Sequence, residues 1–160
     1  MEKDTELVRK LVKGILQRTG VMQVATRAGR SPRVATVWFS YDGDMNLYFM
    51  SRKDREHSKD IARNKEIAGS IVDPGHAKPG NAVRGLSFQG TAREVKGREL
   101  KTAYELYRMR YQTISDRVSF RDITEGSTPF RLFKIIPRGY TIFDEVDFEE
   151  QPRRELRIRN

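Results

Sequence analysis

Residues 33–51 read "RVATVWFSYDGDMNLYFMS", two runs of β-branched and aromatic residues on either side of an Asp-Gly pair. Runs of that kind suit a half-buried pleated surface, and Asp-Gly between Phe39 and Leu47 supplies the turn of a β-hairpin. Upstream, "VMQVATR" (21–27) has the same character, so three antiparallel strands follow one another. Before them, "TELVRKLVKGILQRTG" (5–20) places Leu7, Leu11 and Ile15 on one stripe and Val8, Val12 and Leu16 beside it. These are the i, i+4 rows of an amphipathic helix, with Asp4 or Thr5 as its cap and Gly20 at its end.

Downstream, the third strand breaks into "SRKDREHSK" (51–59), which runs into a short helix through Ile61 and Ala62 to Asn64. "EIAGSIVD" (66–73) opens a fourth strand, and the Gly/Pro-rich "PGHAKPGNA" (74–82) reads as a loop in which His76 has no identifiable partner. "VRGLSFQGTAREV" (83–95) is a long fifth strand whose Gly85 and Gly90 mark bulges or close backbone approach. "GRELKTAYELYRMRYQ" (97–112) carries Leu100, Ala103, Tyr104, Tyr107 and Tyr111 on one helical face. "SDRVSFRDITEGSTP" (115–129) reads as irregular, and "FRLFKIIP" with "GYTIF" (130–143) as a strand or strand pair broken at Pro137 and Gly139.

Strands joined by hairpins argue for an antiparallel sheet, and six of them in 160 residues tend to close into a barrel. The expectation is therefore a mainly β, α+β fold: one six-stranded antiparallel barrel with peripheral helices, occupying residues 1–143. Residues 144–160 read as a charged tail, since "QPRRELRIRN" sets four arginines against one glutamate.

The chain has no cysteine and two histidines, which removes disulfides, thiol catalysis and iron–sulfur ligation and leaves too little for a zinc site. No apolar run approaches the ~20 residues of a membrane span and the first residues lack a leader pattern, so the expectation is a cytoplasmic protein without membrane partners. A net charge of +9 favours phosphate-bearing partners without naming one. Gly-x-Gly-x-x-Gly, Gly-x-x-x-x-Gly-Lys, Gly-x-Ser-x-Gly and His-Glu-x-x-His are all absent.

The joint after the third strand is the richest in chemistry. It offers the hydroxyls of Ser51 and Ser58, the cations Arg52, Lys53, Arg55 and Lys59, and the free N–H groups of a helix start that Asp54 can cap. That set suits a phosphate. The plainer reading is a capped surface helix with solvated cations.

The hairpin "RVATVWFSYDGDMNLYFMS" feeding "REHSKDIARNKEIAGSIVD", followed by "VRGLSFQGTAREVKG", resembles the FMN-binding split-barrel superfamily related to pyridoxamine 5'-phosphate oxidase. The resemblance spans about residues 5 to 140. It implies a homodimer with FMN at the interface, the flavin carrying hydride or electron transfer for an oxidoreductase whose small-molecule donor and acceptor are not specified. It places Arg33, Ala35, Thr36, Val37 and Trp38 along the flavin, Met50 and Ser51 at the ribityl chain, and Arg55, His57, Ser58 and Lys59 at the phosphate. Gln89 falls where a polar side chain turns toward the cofactor. Glu56 and His57 stand where a consecutive basic pair is usual. Deazaflavin and haem are the alternative cofactors of this barrel. The carboxy-terminal residues lack the aromatic and basic motif of the true pyridoxamine phosphate oxidases, which disfavours vitamin B6 oxidation. A basic nucleic-acid-binding module is the alternative of another class, disfavoured by the lack of an RNP-like or helix-turn-helix pattern. As packing residues, Trp38 and Phe39 would sit in a core or an interface, and Gln89 and His57 on the surface.

Overall fold

The computed structural model describes residues 2–73, 75, 82–114 and 116–158, with side chains from residue 4 onward. The loop read over 74–82 falls largely outside these residues, and His76 lies outside them. Four helices, α1 (Glu2–Arg18), α2 (Glu56–Arg63), α3 (Glu99–Arg110) and α4 (Phe120–Glu125), surround seven strands. The strands are β1 (Val21–Arg27), β2 (Pro32–Tyr41), β3 (Leu47–Arg52), β4 (Glu66–Val72), β5 (Arg84–Glu94), β6 (Phe130–Asp144) and β7 (Arg153–Arg157).

All strand pairings are antiparallel, in the order β3-β2-β1-β4-β5-β6-β7. β3 also pairs with β6, Leu47 opposite Ile135, which closes β1 to β6 into a six-stranded barrel and leaves β7 as an added strand on β6. The barrel interior is filled by inward residues of alternating strands, among them Met22, Val24, Phe39, Phe49, Ile71 and Ile142. Helix α1 joins this core through Val8, Val12, Ile15 and Leu16, while Leu7 of its expected stripe is exposed. A second cluster lies between the outside of the barrel and α3, built from Tyr48, Leu100, Ala103, Tyr104, Tyr107 and Leu132 with their neighbours.

Several local expectations are corrected. Helix α1 begins at Glu2, so neither Asp4 nor Thr5 is its cap. The hairpin turn takes its positive φ of 66° at Met45 and not at Gly43. The Asp42 carboxylate holds that turn, accepting from the N–H groups of Asp44 and Asn46, the Asn46 side chain and the Tyr48 hydroxyl. Residues 115–129 are not wholly irregular: Ser119 and Asp122 form a reciprocal capping box that starts α4, and Gly126 ends it at φ 73°. β6 is one strand of 15 residues and is not broken. Gln89 pairs with Gly139 but its neighbour Gly90 with Pro137, so Arg138 is the extra residue of a bulge next to the donor-less Pro137. The basic tail is not all solvated either. Residues 153–157 pair with β6, and Leu156 is 1% exposed in the main core.

Candidate functional site

β2 and β3 pair only over Phe39–Tyr41 and Leu47–Phe49. Beyond that point the two strands separate, β2 staying with β1 and β3 with β6, and a split opens between residues 33–38 and 50–52. The edge of β2 that faces the split has no strand partner among the described residues. The Trp38 carbonyl on this edge accepts from the Tyr107 hydroxyl of α3 at 3.4 Å. Main-chain groups alternate between the two edges of a strand, so those of Thr36 and Val34 face the split as well. Those of Ala35 and Val37 face β1.

Helix α3 closes the narrow end of the split. The Tyr107 hydroxyl also meets the Met50 backbone, and burial pushes its pKa well above the ordinary tyrosine value. Tyr111 donates to the carbonyls of Gly20 and Phe39 and takes the Trp38 ring edge-on at 5.7 Å. Trp38 is nevertheless 60% exposed and Val34 70%, so the outer face of β2 is apolar and uncovered in the single chain.

The wide end is polar. Ser51, almost wholly buried, has its Oγ 2.7 Å from His57 Nε2, and the imidazole leans on the Phe49 ring. Burial first, and the neighbouring Arg55 cation second, hold the His57 pKa below the ordinary histidine value, against the weaker pull of Asp60. Across the split, Arg33 Nη1 reaches both carboxylate oxygens of Asp60 at 2.9 Å, and the Thr26 hydroxyl donates to the same carboxylate at 3.0 Å. Burial alone would raise the Asp60 pKa, but the hydrogen bonds from Arg33 and Thr26, with the charges of Arg33 and Arg63, outweigh it and hold it low.

Helix α2 starts at the wide end without a side-chain cap. Asp54, the expected cap, instead pairs with Arg52, whose hydrogen bond holds its pKa at about 2. The first-turn N–H groups of α2 are therefore left for solvent or a ligand.

The expected site residues fall into three places. Arg33, Thr36, Trp38, Met50, Ser51, Arg55 and His57 lie along the split or at the start of α2. Ser58 and Lys59 do not share the side of α2 that Asp60 turns to β1 and β2. Residues two apart on a helix point about 200° apart, and Ser58 lies in a groove between α2 and the β5–β6 sheet, with Lys59 on its rim. Gln89 is on the outer face of β5, beside Ser87, Arg138 and Thr141, with β1 and β4 between it and its own split. Sequence reasoning missed Asp60 and Thr26, which fix Arg33, and Tyr107 and Tyr111, which close the split. In the sequence Asp60 reads as one more charged residue of a short helix, and no spacing marks it for Arg33.

A chain that opens its barrel between the second and third strands, with a helix start at the opening, can be compared with known proteins. Residues 8–142 match the profile of the pyridoxamine 5'-phosphate oxidase family. The chain belongs to that family. Solved structures of low identity share the fold. One is the putative pyridoxamine 5'-phosphate oxidase from Listeria innocua, 24% identical, with TM-score 0.63 over 84% of this chain and 97% of that one. HutZ, the haem storage protein from Vibrio cholerae, is 17% identical with TM-score 0.66 over 81% of this chain and 89% of that one. The haem binding protein from Mycobacterium smegmatis is 16% identical with TM-score 0.70 over 82% of this chain, which spans only 52% of that protein's length. No curated protein matches the sequence significantly. Among the described residues, no helix is long and apolar enough to cross a membrane.

Proposed function

We propose that this family member binds FMN in the split and acts as a flavin-dependent oxidoreductase. The observation that carries the reading is the unpartnered edge of β2 facing Ser51, His57 and the uncapped start of α2. The donor set fits the group. Main-chain groups of Val34 and Thr36 suit the polar rim of a planar ring, and the Ser51 hydroxyl suits a polyol chain. Arg55, His57 and the first-turn N–H groups of α2 suit a terminal phosphate, to which Arg33 adds charge from across the split.

When bound, the flavin supplies hydride or electron transfer. The chain's own part is to hold and orient it. Tyr107 and Tyr111 keep water from the narrow end, and the Asp60 carboxylate keeps the Arg33 guanidinium extended toward the split. His57, whose protonation burial and Arg55 disfavour in the free protein, can take up a proton beside the phosphate. The other half of the site comes from a second copy. The outer face of β2, β1, β4 and β5 carries small residues such as Ala25, Ala68 and Ser70 between the exposed Val34, Trp38 and Val72, and no described helix covers it. A face that sets exposed apolar residues among small and polar ones fits a homodimer, and Gln89 on it would meet the partner's split.

Haem is the second reading, favoured by His57, since a neutral imidazole is the form that ligates haem iron. Titration of the purified full chain with FMN and with haemin separates the two. The expected result is saturable quenching of flavin fluorescence with one FMN per chain and no sharp haem absorption band. Tight haemin binding that is lost in His57→Ala, with no FMN binding, would replace the flavin reading.

A further inference from the structure

We propose that the groove between α2 and the β5–β6 sheet is a second anion site, separate from the split, which takes the phosphate of a small phosphate monoester. The Ser58 side chain is 4% exposed, its hydroxyl is fully buried, and it has no hydrogen-bond partner. A buried hydroxyl left unpaired is costly, so it points to a group that completes it. The residue lies in a groove rimmed by Lys53, Lys59, Lys65, Arg93 and Lys96, with Glu94 as the one carboxylate among the lining residues.

The cations are unequally committed. Lys59 is tied to Glu56 at 2.8 Å and Arg93 to Glu99, while Lys96 stands 3.7 Å from Glu94. Glu94 also faces Arg131 at 3.6 Å, and Glu99 is shared with Lys134. Lys53 and Lys65, at the two ends of α2, have no ion pair among those found in the described residues. The buried part of the lining is apolar, from Ile61 and Phe133, with Ala62 exposed at the rim. Two uncommitted ammonium groups around a buried hydroxyl suit a phosphate dianion, and the apolar lining suits the carbon part of its ester. Turned about χ1, the Ser58 hydroxyl would meet a terminal phosphate seated in the groove, which a phosphodiester chain lying along the surface would not reach.

The site owes nothing to the flavin reading, because α2 turns Ser58 away from Arg33 and the split. Calorimetric titration of the full chain with phenyl phosphate tests it, with phenol as the neutral probe and a short DNA duplex as the polymeric one. Saturable one-to-one binding of phenyl phosphate but not phenol is expected. It should weaken at least about tenfold in the Lys53→Ala, Lys65→Ala double variant and several-fold in Ser58→Ala. The Ser58→Ala protein without ligand should melt no lower than the parent, since it loses a hydroxyl that bonds to nothing. Arg33→Ala and His57→Ala should leave the affinity unchanged. The proposal is overturned if phenyl phosphate does not bind, if the groove variants bind it as well as the parent does, if the split variants lose it equally, or if the duplex displaces it.

Discussion

Ser51 Oγ stands 2.7 Å from His57 Nε2, joining the end of β3 to the first turn of α2. The imidazole of that pair resists protonation because it is buried and sits beside Arg55. A histidine with a depressed folded-state pKa contributes stability that is complete above its ordinary value of 6.5 and declines as the pH falls from there toward the folded value. Thermal melts of the parent should therefore drop more between pH 7 and 5 than those of His57→Gln. A phosphate dianion beside His57 reverses the preference, so FMN affinity should rise as the pH is lowered from 8 toward 6.5 while riboflavin affinity stays flat. Equal pH profiles for the two flavins would remove His57 from the phosphate.

Asp60 holds Arg33 and Thr26 together, so Asp60→Asn should weaken folding by about 1.5–3 kcal/mol, the range for hydrogen bonds to a charged group. The Asp60 pKa is depressed, so its contribution is present above the ordinary 3.8 and is lost as the pH falls through the folded value. Urea unfolding at pH 7 and at pH 3 should show a smaller acid loss in the asparagine variant than in the parent.

Gly90 allows β5 to run against the bulge in β6. A Cβ built there would lie 2.2 Å from the Ile136 carbonyl oxygen, which belongs to the backbone and cannot rotate away. Gly90→Ala should destabilise by about 1–3 kcal/mol or more as an overpacked position, read as a lower urea midpoint. Gly43→Ala, with open space around it, should change the midpoint little.

Leu156 anchors β7 in the main core. Leu156→Ala should lose about 2–5 kcal/mol, and removing residues 151–160 should lower the melting temperature further by uncovering the β6 edge from Gly139 to Phe143. A truncated chain that melts with the parent would return these residues to the status of a solvated tail.

The barrel was legible because its strands advertise themselves: β1 to β5 alternate or run apolar between turn residues, and α3 shows its face at helical spacing. α4 could have been read too, from Ser119 followed by Asp122 and closed by Gly126, but the polar residues around it mask a helix of six residues. Pro137 was misread because a break and a bulge leave the same mark in one chain, and only the partner strand distinguishes them. In the site, the serine, histidine and cations of 51–59 were visible as a crowd. Which side of α2 each faces was not, because that depends on Asp60 finding Arg33 from another part of the chain.

The seam of the barrel, Leu47 against Ile135 through Arg52 against Phe130, sets an order of events in time. β3 is finished early in synthesis, yet its partner is the last barrel strand to leave the ribosome. Until then β1 to β5 are expected to form an open, curved sheet, and the split is only one end of a longer gap. Closing so long a loop is entropically costly and slow, so the final folding rate should follow substitutions in the seam, such as Phe49 on Phe133, more than those in the early hairpin. The pocket would then take its shape in the same step that closes the wall.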